Sequence, residues 1–168
     1  MKVGDKIVYP MHGAGEIVGI EENEVGGVTK SYYILKVPMS SSKLMLPVDK
    51  ISEMGLREII DKSYVKEVEK VLRDKSEVLQ GSWNKRYHAN LDRMKTGNIL
   101  DVAAIARNLT RQSLIKKVSS GEQRLLDSAR QVLISELMYA LDKPIDEITA
   151  WIDEKINSYV EENSEVVE

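Results

Sequence analysis

The chain of 168 residues has no cysteine and only two histidines, His12 and His88. Disulfides and zinc–cysteine sites are therefore excluded, and metal chemistry would have to rest on carboxylates. No apolar run approaches the roughly 20 residues needed to span a bilayer, and the N-terminus lacks an apolar signal core, so the expectation is a cytoplasmic protein with no membrane partner. A P-loop, a nucleophile elbow, a metal-ligand set and a histidine-centred catalytic pair are all missing. An enzyme is disfavoured, and neither a cofactor nor a small-molecule substrate is expected. Gly13, Gly15 and Gly19 have the wrong spacing for a dinucleotide loop and run into a strand pattern. His12, in the same turn, reads as a turn residue rather than a base or a ligand. Aromatic residues make up only 5% of the chain, with two tryptophans.

What is present is the 42% apolar and 30% charged content of an ordinary globular protein, enough for one sizeable domain or two small ones. The net charge of −3 conceals a segregation. Residues 82–131 carry ten cations against four acids, a net +6, whereas residues 132–168 come to −8 and residues 1–81 to −1. A basic block inside an acidic protein is the charge pattern of a local nucleic-acid footprint, and equally that of a solvated helical surface.

Residues 1 to about 52 read as β: Lys6 to Tyr9, Ala14 to Glu21, Lys30 to Val37 and Lys43 to Leu46, punctuated by Pro10, Gly26-Gly27 and Ser40 to Ser42. Short strands joined without helices predict a small antiparallel barrel or bent sheet, whose edge either docks on its neighbour or meets a partner. From about residue 56 the period becomes helical. A helix is expected over about 61–74. Another opens at Trp83 with Ser82 as its cap, and a third follows Asn98. A long helix starts at the capping box of Ser119 and Glu122, and a last one opens at Pro144 with an acidic tail, residues 161–168, expected to fray. The fold class is thus α+β: a β-barrel domain over residues 1–55, then an all-helical domain over 56–160.

Trp83 is the most informative position. With Lys85 and Arg86 beside it, the ring could wedge at a base step while the cations hold phosphates. Positions 83, 87, 91 and 94 also share one helical face, so Trp83 could instead begin a core stripe with Tyr87, Leu91 and Met94. From the residues alone both readings stand.

Three separated stretches, Lys2 to Gly15, Ser82-Trp83 with Tyr87 to Leu91, and Ser119 to Leu137, together resemble the CarD/CdnL family of bacterial transcription regulators, with a match over roughly residues 2–142. The first stretch is also similar to the polymerase-interacting domain of the transcription-repair coupling factor. The resemblance implies a Tudor-like N-terminal domain that binds the β subunit of RNA polymerase, and a helical domain that contacts promoter DNA at the upstream edge of the melted bubble with little sequence readout. Trp83 then matches the family's minor-groove wedge, and Lys85 and Arg86 its phosphate-contacting neighbours. His88 stands where actinobacterial relatives have a lysine, which implies a weaker or pH-sensitive contact. Arg93, Lys116, Lys117 and Arg124 complete the expected DNA-binding set. Asn23 and Met45 replace two arginines of the relatives' polymerase-binding edge, so Glu22, Asn23, Glu24, Val25 and Met45 are expected to pair there through backbone and apolar contact. The competing reading is an adaptor on the polymerase that makes no DNA contact.

Overall fold

The structure, a computed structural model, describes residues 1–164, with side chains up to Tyr159. Five strands, β1 (Lys6–Tyr9), β2 (Gly13–Val25), β3 (Val28–Lys36), β4 (Lys43–Pro47) and β5 (Arg57–Glu58), form one antiparallel sheet in the order β4-β3-β2-β1-β5. Gly26 and Gly27 both have positive φ, at 62° and 79°, as a two-residue hairpin turn that matches strand twist requires. That turn lets the ladder run out to the pair Val25–Val28, four residues beyond the Glu21 at which the sequence pattern ends the strand. From Glu21 to the turn and back to Lys30 every residue is exposed, so this part of the hairpin is a solvated two-stranded arm. A shift of register between Ile17 and Gly19 bulges β2 where the arm leaves the body of the sheet.

The sheet's own core is small: Ile7, Ile17, Leu35, Val37 and Leu46, closed over by Ile51, Met54 and Leu56 from the 3-10 helix Val48–Glu53 and the chain after it. The edge strands β4 and β5 do not pair with each other, so barrel is a loose description of an open sheet. Closure fails because β5 lasts two residues. Its continuation is drawn off to the helices, where the backbone N–H of Ile60 donates to Glu136 at 3.0 Å.

The helices are α1 (Val65–Arg73, after a 3-10 turn Lys62–Tyr64), α2 (Trp83–Lys95), α3 (Ile99–Ile115), α4 (Ser120–Leu141) and α5 (Ile145–Ser164). Their starts follow the expected chemistry. Ser82, Asn98 and Ser119 each cap their helix through the side chain, and Ser119 with Glu122 forms both halves of a capping box. The last helix continues past Val160 through Ser164. Of the acidic tail expected to fray, residues 161–164 are therefore helical, and residues 165–168 lie outside the described ones. Val68, Leu72, Ile105, Leu133, Leu137, Ile152 and Ile156 are among the fully buried side chains at the centre of the bundle.

Sheet and helices share a tight junction along α4. Ser135 Oγ accepts from the N–H of Ala14 at 2.9 Å, and Gln131 donates to the carbonyl of His12 at 2.8 Å. Gly13 sits at φ +117°, and a Cβ there would lie 2.8 Å from Ser135 Oγ, so the backbone can approach the helix only as glycine. At the centre of the junction Arg57 donates two hydrogen bonds to the fully buried Glu136 carboxylate, at 2.6 and 2.7 Å, and a third to the carbonyl of Gly97 at 2.8 Å.

Candidate nucleic-acid interface

Gly81, at φ +98°, turns the chain into α2 and puts Trp83 at the first helical position. The stripe of Trp83, Tyr87, Leu91 and Met94 is real but graded. Met94 is fully buried, Leu91 and Tyr87 pack at the core margin, and Trp83 remains 41% exposed. Its indole lies parallel to the Tyr87 ring, centroids 5.3 Å apart at an interplanar angle of 8°, an offset stack. Nε1–H donates to Glu122 Oε1 at 3.1 Å. Trp83 is thus neither a core residue nor a loose surface ring: one face is covered, its N–H is engaged, and the rest meets solvent.

Beside it opens a cleft of about 1210 Å³, lined by Val78, Leu79, Arg86, Lys116, Lys117, Gln112 and the first residues of α4. Two helix N-termini, of α2 and α4, are at this end of the bundle together with the α3–α4 loop. Both bring the partial positive charge of unpaired backbone N–H groups.

The block of ten cations resolves into two populations. Arg107 and Arg111 are buried and donate to backbone carbonyls: Arg107 to Val71 O at 2.7 Å, and Arg111 to Leu72 O and Asp74 O at the end of α1 and to Ile156 O within α5. Arg93 is held by Glu77 at 2.7 Å and Asp101 at 2.9 Å, and Arg130 by Asp153 at 3.0 Å. These four hold the bundle together, and Arg93 has its charge matched twice within the fold. Lys85, Lys95, Lys116, Lys117 and Arg124 are exposed, with no ion pair among the described residues. Arg86 is half-buried, donating to the carbonyl of Gly81 at 2.6 Å and lining the cleft. His88 is exposed and meets Tyr87 edge-on, 5.6 Å between centroids. Of the sequence-derived set, Trp83, Lys85, Arg86, Lys116, Lys117 and Arg124 therefore occupy one end of the bundle, with His88 a turn further along α2. Sequence reasoning read Tyr87 and Glu122 only as stripe and cap. The four-residue spacing of Trp83 and Tyr87 was the signal that could have shown the stack.

The expected polymerase-binding residues lie far along the sheet. Glu22, Asn23, Glu24 and Val25 are on the hairpin arm, paired with Ser31, Lys30, Thr29 and Val28. Met45 is on β4, which is unpaired along its outer edge. Ile20, Val25, Val28 and Met45 are all exposed. Among the described residues no cluster of His, Asp or Glu could hold a metal ion, and no helix is long and apolar enough to cross a membrane.

Two carboxylates of the helical end set its acid response. Hydrogen bonding from Arg93 holds Glu77 below its ordinary value near 4.5 against the opposing effect of burial. Burial works against ionisation of Glu122, but hydrogen bonds from Trp83, Gln112 and Ser119 outweigh it and lower this carboxyl too. Burial likewise lowers His12, which stacks on Tyr9 at 4.4 Å. A group whose pKa is depressed on folding contributes stability above its unfolded value and loses it as pH falls through the folded one. The melting temperature should accordingly begin to decline below pH 6.5, where His12 contributes, and fall more steeply below 4.5. Glu77→Gln should flatten the lower limb in a thermal-unfolding series against pH; an unchanged limb would show that Glu77 contributes nothing there.

Two exposed surfaces stand out: a sheet that presents an arm and an open edge, and a helical end that presents a ring among cations. Residues 1–60 match the CarD-like/TRCF RID domain family, and residues 67–153 match the CarD C-terminal domain family. The chain is 36% identical over 136 residues to YdeB of Bacillus subtilis (strain 168), a proposed transcription factor, across 81% of this chain and 89% of that protein. The chain belongs to the CarD family of transcription regulators.

Proposed function

We propose that this protein binds the β subunit of RNA polymerase through the β2–β3 arm and the β4 edge, and promoter DNA at the upstream edge of the bubble through the helical end. There Trp83 wedges at the distorted minor groove and lengthens the life of the open complex. The observation that carries the reading is the half-exposed indole at the first position of α2, backed by Tyr87 and accompanied by unpaired Lys85, Lys116, Lys117 and Arg124. A ring presented with one face supported can replace base stacking at a melted step, and the surrounding cations hold phosphates without reading sequence. Arg93 has no part in this contact, because its charge is committed to Glu77 and Asp101.

Binding of the chain to forked DNA is the test. Affinity should depend weakly on sequence and steeply on salt, with a log–log slope of about −3 to −5 for four to six phosphates, falling by about one in Lys85→Ala. A chain acting only as a protein adaptor would not bind forked DNA at all. On the polymerase side, Val25→Asp and Met45→Glu should weaken capture of the β subunit by the full chain without altering its melting. Unchanged capture would remove the arm and the β4 edge from the interface.

A further inference from the structure

An exposed tryptophan on the first turn of a helix would ordinarily be free to change rotamer, and a ring that must enter a base step would then lose that freedom on binding. Trp83 does not have this freedom. Its N–H is bonded to Glu122 Oε1 at 3.1 Å and its face is stacked on Tyr87. Its far edge lies close to Gly121, where an added Cβ would stand 3.6 Å from Cζ2. Glu122 is itself fixed from two elements. Gln112 of α3 donates to its other oxygen at 2.9 Å, and the Ser119 hydroxyl donates to the same oxygen as the indole at 3.1 Å.

We propose that Glu122 is a positioning residue: its carboxylate orients the Trp83 indole in the free protein so that the ring meets DNA preorganised. The inference rests on the wedge reading above and deepens it. A carboxylate next to a DNA-facing cluster would otherwise repel phosphates, which makes its placement here a liability unless it serves the ring. Its two oxygens instead take three side-chain donors, and the exposed Lys116 and Lys117 stand in the loop before it. A charged acceptor holds an N–H more firmly than a neutral one, so the indole is better fixed by glutamate than by water.

The alternative is that Glu122 serves only to close the capping box of α4, and two variants separate the roles. Ser119→Ala removes the cap hydroxyl and leaves the carboxylate facing the indole, whereas Glu122→Ala removes both functions. Glu122→Gln keeps an acceptor oxygen. In the full chain the indole N–H resonances belong to Trp83 and Trp151, and Trp83→Phe assigns them. Hydrogen exchange of the Trp83 N–H should become about ten-fold faster in Glu122→Ala, the loss of one charge-assisted hydrogen bond, rise by an intermediate amount in Glu122→Gln, which keeps an acceptor without the charge, and change little in Ser119→Ala. Open-complex lifetime should shorten several-fold in Glu122→Ala and be partly restored in Glu122→Gln, while Ser119→Ala lowers melting without shortening it. Should Glu122→Ala melt too low to assay, Glu122→Met supplies the same loss of acceptor with a helix-forming side chain. Unaltered exchange in Glu122→Ala, or equal losses of lifetime in Ser119→Ala and Glu122→Ala, would overturn the positioning role. So would an indole set free with no loss of lifetime while Trp83→Ala does lose it, an outcome that leaves the wedge standing. If Trp83→Ala itself has no effect on lifetime, the wedge and the positioning role fall together.

Discussion

Replacing Trp83 with alanine is expected to leave the chain folded and able to bind polymerase, while shortening open-complex lifetime about ten- to a hundred-fold. The magnitude follows from base–aromatic stacking of about 1–3 kcal/mol, since each 1.36 kcal/mol is about a factor of ten in rate. The expectation of an intact fold follows from the position of the ring. At 41% exposure, with Tyr87 as its stacking partner, it should contribute about 0.5–1.5 kcal/mol beyond its modest burial. A fully buried indole would instead cost about 3–5 kcal/mol on truncation. Thermal unfolding and open-complex dissociation measured on the same variant decide the matter. A large fall in melting temperature would assign Trp83 to the core, and an unchanged lifetime would remove the wedge.

The largest expected loss of stability lies elsewhere, at the junction of sheet and helices. Glu136 is fully buried, and two of its four hydrogen-bonding lone-pair directions are filled by the Arg57 guanidinium. Arg57→Ala strips the counter-charge and leaves that carboxylate with only the N–H of Ile60, a loss of about 3–5 kcal/mol by comparison with other broken buried pairs. For a chain of this size that corresponds to a fall in melting temperature of roughly 6–20 °C. Arg57→Met combined with Glu136→Met should recover much of the deficit, because no charge is then stranded. The residue that is not recovered reflects the N–H of Ile60 and the carbonyl of Gly97, both left without partners. If Arg57→Ala melted like the parent, the ion pair would not hold the junction.

The local chemistry of this chain was legible wherever a residue acts on its own neighbours. Ser82, Asn98 and the Ser119–Glu122 pair mark helix starts because their side chains bond to N–H groups two or three residues on, and periodicity found the buried stripes. The strand β2 was read four residues short because Glu22, Asn23 and Glu24 look like loop; in an arm solvated on both sides, polar residues are no obstacle to pairing. The junction was not legible at all. Arg57 and Glu136 lie 79 positions apart, and nothing local to either residue announces the partner. The same blindness inflated the basic block: a count of +6 does not reveal that Arg93, Arg107, Arg111 and Arg130 are committed to carboxylates and carbonyls inside the bundle. At the candidate site the cations nearest Trp83 were readable from sequence. The intermediate state of the ring was not, because it depends on Glu122, which reaches it from another helix.

The closeness of the Gly13–Ser135 contact and the burial of Glu136 have a geometric consequence. With the sheet locked to α4, the span from the hairpin arm to the indole is a constant of the fold rather than an average over a flexible linker. A rigid part of this kind works as a ruler. On the proposed reading, with the arm seated on the polymerase, the step that Trp83 meets is set by distance from the enzyme, so one protein would serve promoters whose bases at that step have nothing in common. Lengthening the chain between Glu58 and Val65 should therefore leave the gauge as it is, because the junction on α4 and not the connecting segment sets it.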